Sequence, residues 1–287
     1  MDPLIFAITG ANGQVGAFLT EYLRNCGHIV YELVRSSEKA KDKTYYKFFD
    51  LAEPQKISSL QGIDVLIHAA YFFDTTVKKY ESTNVAGSQQ LFRQAKIDRV
   101  KYAIFISTLS AHPDARSLYG RTKYQLEQLL MRENLNMSII RPGLIFHSPL
   151  KGITSAMDNF VGKFPVVPLI GRGKQKLYPC LLEDLVQLIF TLSMKQSVIK
   201  RPIAAATECA ITFKQLVQYL AIKRQKHVLA FPIPFYAIYF MLKTIEFFGL
   251  PIGLRSDSLL GLQYADSAID FSETENLGVH FRELTFF

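Results

Sequence analysis

The sequence has no tryptophan and only three cysteines, Cys26, Cys180 and Cys209. The cysteines do not have the spacing of metal ligands, and an odd number of them does not fit a disulfide framework. The aromatic stretch Val228–Leu242 carries no charge but spans only 15 residues, short of the roughly 20 that a membrane-spanning helix needs. These absences predict no metal site and no disulfide, and they fit a protein of the reducing cytoplasm.

Acidic residues are also fewer than basic ones. The chain has 33 Lys and Arg residues against 25 Asp and Glu residues, a net charge of +8 and a pI of about 9.2. This balance favours anionic ligands or surfaces. The basic residues are scattered, and no basic helix is interleaved with aromatics, so we expect no nucleic-acid partner. A first strand expected from residue 4 is predicted to leave no room for a signal peptide.

The opening of the chain carries the strongest pattern. Leu4–Ile8 is typical of a buried parallel strand, and the helical spacing of apolar residues begins at Gln14 and runs to about Cys26. Glycines at 10, 13 and 16 occupy the turn between them. Such a strand, glycine turn and helix would hold a diphosphate at the helix N-terminus. The spacing is G-x-x-G-x-x-G and not G-x-G-x-x-G, and a simple strand-to-helix turn is the alternative interpretation.

Strands and helices then alternate along the chain. Long helices are predicted at about 77–96 and 118–134. Further strands are predicted at His28–Val34, Tyr45–Phe49, Ile63–His68, Tyr102–Ile106 and Met137–Ile140. This alternation indicates an α/β fold with a doubly wound parallel sheet.

The alternation ends near residue 148, where a stretch rich in glycine and proline begins. Helices are predicted at Leu181–Met194 and Ile211–Ile222, the second with Thr212 as its N-cap. We therefore assign residues 1–148 plus about 181–205 to a nucleotide-binding domain. Residues 149–180 plus about 206–287 are assigned to a smaller substrate-binding lobe.

The end of the second predicted strand bears on the choice of cofactor. An acidic residue there would bind the ribose 2′-hydroxyl of NAD, whereas an arginine can pair with the 2′-phosphate of NADP. Arg35 stands at this tip, followed by Ser36 and Ser37, while Glu32 lies two residues before Val34. The pattern favours NADP over NAD, and a solvated loop arginine is the alternative.

Tyr119 and Lys123 lie four residues apart on a predicted helix and hence on one face of it. A free phenol has a pKa of about 10, and a neighbouring ammonium favours its ionised form. Tyr119 would then exchange a proton with a substrate alcohol or carbonyl. Hydroxyls at the end of the preceding strand can bond the same substrate oxygen, with Thr108 the first choice, Ser107 the second and Ser110 the third.

Together these motifs resemble the extended short-chain dehydrogenases/reductases, which include nucleotide-sugar epimerases and dehydratases. The resemblance implies a Rossmann-type sheet with a smaller C-terminal substrate-binding lobe, NADP or NAD as cofactor, and Tyr119 and Lys123 as the catalytic pair. It also implies a homodimer formed through the two long helices. The matching cofactor-binding positions are Gly10, Asn12, Gly13, Gln14, Val15, Gly16, Asp50, Leu51, Ala69, Ala70, Asn84, Lys123, Pro142 and Gly143.

The chain departs from this pattern after the fifth and sixth strands. Leu109 follows the Ser107-Thr108 pair where the family presents a hydroxyl, and Phe146-His147-Ser148 stands where many relatives have a glycine. His112 is a candidate extra acid or base, with a structural role as the alternative.

Three functions remain open on the sequence. The first is hydride transfer between a nicotinamide cofactor and a carbonyl or alcohol carbon. The second is epimerisation or dehydration of a nucleotide sugar by an enzyme that holds NAD tightly. The diphosphate of that substrate would pair with basic residues, for which the candidates are Arg141, Arg172, Lys174 and Lys176. The third is a non-catalytic, cofactor-binding regulatory or assembly protein.

The uncharged stretch Val228–Leu242 and the residues up to Phe248 have two interpretations. As a buried helix lining the substrate pocket, they would indicate an apolar substrate. As a surface segment following Lys223-Arg224-Gln225-Lys226, they would make peripheral contact with an anionic membrane through residues 223–248. We favour the buried helix because short apolar runs are more often core.

Overall fold

The computed structural model describes residues 2–73, 77–249, 255–266 and 268–284. The strands are β1 (Ile5–Thr9), β2 (Ile29–Val34), β3 (Tyr46–Phe48), β4 (Val65–His68), β5 (Tyr102–Ile106), β6 (Met137–Pro142), β7 (Leu144–Phe146), β8 (Val166–Ile170), β9 (Lys176–Leu177), β10 (Pro179–Leu181), β11 (Ile203–Ala205), β12 (Ile211–Thr212) and β13 (Leu229–Ile233). The helices are α1 (Gln14–Asn25), α2 (Val77–Ile97), α3 (Leu118–Leu130), α4 (Gly152–Lys163), α5 (Leu182–Lys195), α6 (Phe213–Lys223), α7 (Phe235–Phe247), α8 (Ser256–Gln263) and α9 (Ser272–Asn276).

The central sheet has seven strands in the order β11-β6-β5-β4-β1-β2-β3. Its pairings are parallel throughout. The chain order reverses between β1 and β4, which opens a crevice at the carboxyl ends of these two strands. The predicted Rossmann-type doubly wound parallel sheet is confirmed. The predicted elements recur with small shifts at their ends, except that α3 stops at Leu130 and continues as a single 3-10 turn.

Side chains of the sheet point alternately into two apolar layers, as the period of two in a strand requires. On one side, Phe6 and Ile8 pack with residues of α1 and α5. On the other side, Ala7 and Phe105 pack with residues of α2 and α3. Both faces are covered, which explains why the sequence of these strands is almost uniformly apolar.

The chain after β6 builds a second, smaller core. Strands β7 and β8 and helices α4 and α6 enclose it, with Phe146 and Leu169 among its buried members. Helix α6 begins at the predicted N-cap, because the Thr212 side chain accepts from the Gln215 N–H and the Gln215 side chain accepts from the Thr212 N–H. The pattern does not predict β11, whose three small or apolar residues are too few to show a period, yet it pairs with β6 at the sheet edge.

The last described residues return to the sheet. Thr274 in α9 donates to the carbonyl of Ala204 in β11, and Phe271 and Phe281 pack against the apolar layer beside α1 and α5. Arg282 forms an ion pair with Asp184, which accepts from the Arg282 N–H at 2.8 Å. The two-part division of the chain stays a prediction. Its predicted lobe also includes residues 250–254, 267 and 285–287, which lie outside the described residues.

The stretch 228–242 is not the buried helix that we favoured. It forms the exposed strand β13 and the first half of α7, and Leu229, Phe231, Tyr236 and Phe240 are all exposed. A turn at Pro234 separates the two elements because proline has no N–H to continue the strand ladder. Within the described ranges, none of the helices is long and apolar enough to span a bilayer.

Candidate active site

The loops that leave β1, β4 and β5 meet at the carboxyl edge of the sheet. Gly10 has a φ of +67°, and a Cβ there would lie 2.8 Å from the nitrogen of Ala70. A Cβ at Gly16 would lie 2.2 Å from the carbonyl oxygen of Gly10. Glycine is required at both positions because the neighbouring atoms belong to the backbone. The predicted turn and Ala69-Ala70 are therefore in direct contact.

A buried hydrogen-bond chain holds this edge together. The Thr9 hydroxyl accepts from the N–H groups of Ala69 and Ala70, each at 3.1 Å, and bonds His68 Nδ1 at 2.7 Å. His68 Nε2 bonds the Ser88 hydroxyl at 2.8 Å. Burial, together with the Lys123 charge, lowers the pKa of His68 to about 3. His68 therefore stays neutral and joins β1 and β4 to α2.

The N-terminus of α1 faces the same edge. Gly13 is its N-cap and no side chain caps the helix, so the N–H groups of the first turn, which includes Gln14, Val15 and Gly16, are open to an anionic ligand. Asn12 donates from Nδ2 to the Lys39 carbonyl at 2.7 Å and so attaches the turn to the loop after β2. This is the arrangement that a diphosphate needs.

The tip of β2 presents a cation and no carboxylate. Arg35 is exposed, whereas Glu32 is fully buried, pairs with Arg24 at 3.0 Å and accepts from the Lys41 N–H at 3.0 Å. Glu32 is thus committed to internal contacts. The Arg35 side chain is the group that this tip offers to a ligand.

Asp50, Leu51 and Asn84, which are among the predicted cofactor-binding positions, lie near the same crevice. Leu51 is buried, and a Cβ at Gly87 would lie 2.6 Å from its carbonyl oxygen, so α2 passes close to it. Asp50 accepts from the Ala52 N–H. Asn84 is buried and bonds both backbone groups of Phe72, each at 2.9 Å. In this structure Asn84 positions the loop after β4.

Tyr119 lies in the first turn of α3. Burial raises the pKa of Tyr119 to about 12, and the neighbouring Thr108 side chain opposes this shift. Thr108 is therefore the predicted hydroxyl that meets Tyr119. Ser107 is instead buried and donates to Glu127.

Lys123 is buried one turn further along α3. Its ammonium donates to the Ile106 carbonyl at 2.6 Å and lies 4.8 Å from the ring centre of Tyr71 and 4.6 Å from that of Phe105. Burial lowers the pKa of Lys123 to about 7, while the Glu127 carboxylate opposes this shift. The Tyr71 ring contacts both Lys123 and Tyr119. The tuning of Tyr119 by Lys123 stays a prediction.

Glu127 is not among the residues that the sequence motifs indicate. Its carboxylate is fully buried and binds the Arg141 guanidinium through two bonds of 2.9 and 2.5 Å. It also accepts from Ser107. Two nitrogens of the Arg141 guanidinium, Nε and Nη2, are therefore engaged by Glu127. The spacing of Glu127 four residues after Lys123 on the inner face of α3 was the available signal.

An aromatic cover lies over Tyr119. The ring centres of Tyr71 and Phe73 lie 5.0 and 5.9 Å from that of Tyr119. Arg255 lies over Phe73 at 5.6 Å, and the Asp257 carboxylate accepts from the N–H of Tyr119 at 3.1 Å. These contacts join residues distant in the chain, so periodicity does not reveal them.

The remaining candidates have other contacts. His112 is bonded through Nε2 to the Tyr264 carbonyl at 3.1 Å, which supports the structural interpretation. His147 pairs with Glu183 at 2.8 Å. Gly143 follows Pro142, and a Cβ at Gly143 would lie 2.0 Å from the Tyr178 carbonyl oxygen. The cluster of basic residues on the lobe is exposed; its members are Arg172, Lys174 and Lys176.

Replacing Glu127 by Gln should destabilise the protein. The change leaves the partly buried Arg141 without its counter-ion, and we expect a loss of about 3 kcal/mol in the free energy of unfolding. Urea denaturation measures this loss. In the matched control Glu81→Gln, an exposed pair with Arg121 at 3.9 Å is broken, and the loss should stay below about 1 kcal/mol. Equal losses in both variants would contradict the role of Glu127.

The depressed pKa of Lys123 predicts a pH-dependent stability. The unfolded chain keeps a lysine proton up to about pH 10.4, whereas the folded protein releases that of Lys123 near pH 7. Between these values the unfolded state binds more protons, so this group makes the wild type more stable as the pH rises. Relative to Lys123→Met, the wild-type free energy of unfolding should rise by up to about 1.4 kcal/mol per pH unit.

Urea denaturation at a series of pH values from neutral to alkaline measures this difference. The control Lys41→Met changes an exposed lysine and should follow the wild type throughout. If the wild type and Lys123→Met instead keep a constant difference over the whole range, the Lys123 proton is not released early in the folded protein.

Comparison with known proteins agrees with this geometry. A model of the NAD dependent epimerase/dehydratase family matches residues 6–200. The UDP-glucose 4-epimerase of Vibrio cholerae is 23% identical over 260 residues, covering 81% of this chain and 79% of that protein. A nucleoside-diphosphate-sugar epimerase structure from Staphylococcus aureus aligns with a TM-score of 0.74 at 14% identity over 98% of both chains.

A further structure, MoeE5 in complex with UDP-glucuronic acid and NAD, aligns with a TM-score of 0.67 at 19% identity, over 96% of this chain and 97% of that one. At such identities the structural likeness concerns the fold, while the match to the family model covers more than half of the chain. The family resemblance predicted from the motifs is confirmed. The chain is an enzyme that belongs to the NAD-dependent epimerase/dehydratase family.

Proposed function

We propose that the protein is an NADP-dependent oxidoreductase that reduces a carbonyl group, or oxidises the corresponding alcohol, with Tyr119 as the proton carrier. The observation that carries the proposal is the position of the Tyr119 phenol, which is covered by the rings of Tyr71 and Phe73 and has the Thr108 side chain close enough to oppose the rise in its pKa. Tyr119 and Thr108 adjoin the carboxyl end of β5, which is two strands from β1 in the sheet. A carbonyl oxygen placed between the two hydroxyls would be held and protonated by them.

The residues at the carboxyl edge fit a dinucleotide. The uncapped first turn of α1 suits a diphosphate, and Gly10 and Gly16 keep the backbone close where a Cβ would intrude. When bound, NADP would supply or accept the hydride. At the end of β2, Arg35 is exposed, whereas Glu32 is buried and paired with Arg24. A cation at this position supports the 2′-phosphate of NADP as its ligand.

The charge state of the site suits a proton donor at Tyr119. With a pKa raised to about 12, Tyr119 holds its proton at neutral pH and is ready to donate it as negative charge develops on a substrate oxygen. Because the pKa of Lys123 is lowered to about 7, this side chain can supply a positive charge or a neutral amine at neutral pH. Glu127 stabilises the charged form of Lys123 and engages two nitrogens of Arg141.

Epimerisation of a nucleotide sugar is the second candidate. The family match and the epimerases among the relatives favour it, and MoeE5 is described with UDP-glucuronic acid and NAD. In this chain the basic residues Arg172, Lys174 and Lys176 would meet the substrate diphosphate. The commitment of Arg141 to Glu127 and the aromatic rings around Tyr119 favour a less polar carbonyl substrate.

Tyr119→Phe should abolish turnover and leave cofactor binding intact. We expect NADPH oxidation with a panel of ketones, aldehydes and nucleotide sugars to fall by about a hundredfold or more, because a positioned proton donor contributes at least that factor. The control Tyr124→Phe removes a phenol from the same helix and should keep wild-type rates. Unchanged turnover in Tyr119→Phe would remove Tyr119 from the mechanism. A wild type that binds cofactor but oxidises no NADPH with any of these compounds would favour epimerisation, in which the cofactor is oxidised and re-reduced within one turnover.

Arg35→Ala should weaken NADP(H) binding selectively. A charge-assisted hydrogen bond contributes about 1.5–3 kcal/mol, so the dissociation constant for NADPH should rise by about tenfold or more while that for NADH stays constant. Thermal unfolding with each nucleotide measures this, since a ligand at a hundred times its dissociation constant adds about 2.7 kcal/mol. Arg201→Ala, at another exposed arginine, is the control. A wild type stabilised more by NADH than by NADPH would contradict the proposal.

A further inference from the structure

Helix α7 faces solvent with its apolar side. Tyr236, Phe240 and Phe247 are 63%, 64% and 85% exposed, and they follow one another at helical spacing. Ile238 and Leu242, on the opposite side, are buried in a separate apolar cluster with Ile170 and Leu259. The first part of the helix, residues 235–242, therefore carries apolar residues on both sides, which is typical of a buried or membrane-associated helix and not of a helix at a water-exposed surface.

The apolar exposure extends beyond the helix. In β13, Leu229 is 74% exposed and Phe231 43%. Leu229 pairs directly with the exposed Val166 of β8. Only Pro234 separates β13 from α7, so the two exposed sets adjoin. We call them together the aromatic surface; its members are Phe164, Val166, Leu229, Phe231, Tyr236, Phe240, Met241, Phe247 and Phe248.

Positive charge flanks the aromatic surface. The Lys163 ammonium lies 5.5 Å from the ring centre of Phe164, and that of Lys243 lies 5.8 Å from the ring centre of Tyr239. Lys226 donates to the Gly162 carbonyl beside them. The carboxylates in contact with these basic residues are Asp158, paired with Arg224, and Glu246, paired with Lys243. The flanking basic residues, Lys163, Lys223, Arg224, Lys226 and Lys243, outnumber these two carboxylates.

We propose that the aromatic surface docks on an anionic lipid bilayer, with α7 lying in the plane of the interface. Lysines beside exposed aromatics suit this position, because the rings enter the apolar boundary while the ammonium groups stay at the anionic headgroups. At about 1.5 Å per residue, the 13 residues of α7 cannot cross a hydrocarbon core of roughly 30 Å. The helix therefore rests on the bilayer without spanning it.

The same charges disfavour a second copy of the chain as the occupant. A two-fold contact through the aromatic surface would bring identical lysines of two copies, each copy with a net charge of +8, towards one another. Like charges at an interface oppose association. An anionic bilayer supplies the complementary charge to all of them at once.

Vesicle flotation of the full-length protein tests the proposal without requiring activity or cofactor. The probes are vesicles of phosphatidylcholine alone and of phosphatidylcholine mixed equally with phosphatidylglycerol. We expect binding to the anionic vesicles, weaker binding to the neutral ones, and partial loss in high salt. The double variant Phe240→Ser/Phe247→Ser should lower the apparent partition coefficient at least about tenfold. Both positions are exposed, and circular dichroism and thermal unfolding verify that the variant folds.

The matched control is Ile97→Ser/Val198→Ser, which removes two exposed apolar side chains elsewhere, 70% and 49% exposed. It should float like the wild type. Absence of binding to either vesicle, or equal binding by wild type and the Phe240/Phe247 variant, would overturn the proposal. Analytical ultracentrifugation adds a second criterion. A dimer that this variant alone converts to monomer would show that the surface pairs copies of the chain.

Discussion

The carboxylate of Glu127 is buried where α3 meets the ends of β5 and β6, and a bare negative charge could not remain there. Three partners offset the desolvation of this carboxylate: the Arg141 guanidinium, the Ser107 hydroxyl and the nearby Lys123 ammonium. Each partner belongs to a different part of the site. Since all of them satisfy one charge, α3, the strand with the candidate hydroxyls and the strand leading to Pro142-Gly143 are held in one arrangement.

This arrangement determines which groups are left for chemistry. Ser107 and Arg141 are committed to Glu127, so the hydroxyl beside Tyr119 is that of Thr108. Burial keeps the Tyr119 phenol protonated and brings Lys123 close to neutrality. At neutral pH the site therefore contains a protonated phenol and, one helical turn further on, an amine close to its own pKa.

The smaller part of the protein is joined to α3 by a short series of polar contacts. Glu246, near the end of α7, accepts from the Ser256 N–H at 2.6 Å. The next residue, Asp257, accepts from the N–H groups of Leu118 and Tyr119 at the start of α3. Carboxylates at both helix starts suit the positive ends of the helix dipoles. These contacts connect the end of α7 through α8 to the backbone of Tyr119.

Local patterns in the sequence were sufficient for the fold and for part of the site. Buried parallel strands are uniformly apolar, helices repeat every three to four residues, and a glycine turn between them admits few conformations, so β1, α1 and the alternating sheet could be predicted. Tyr119 and Lys123 were visible for the same reason, since four residues on a helix define one face. The burial of Glu32, the commitment of Arg141 to Glu127 and the exposure of α7 were decided only by tertiary structure. Each depends on contacts between residues far apart in the chain, and neither periodicity nor composition encodes which of two apolar faces will find a core to cover it.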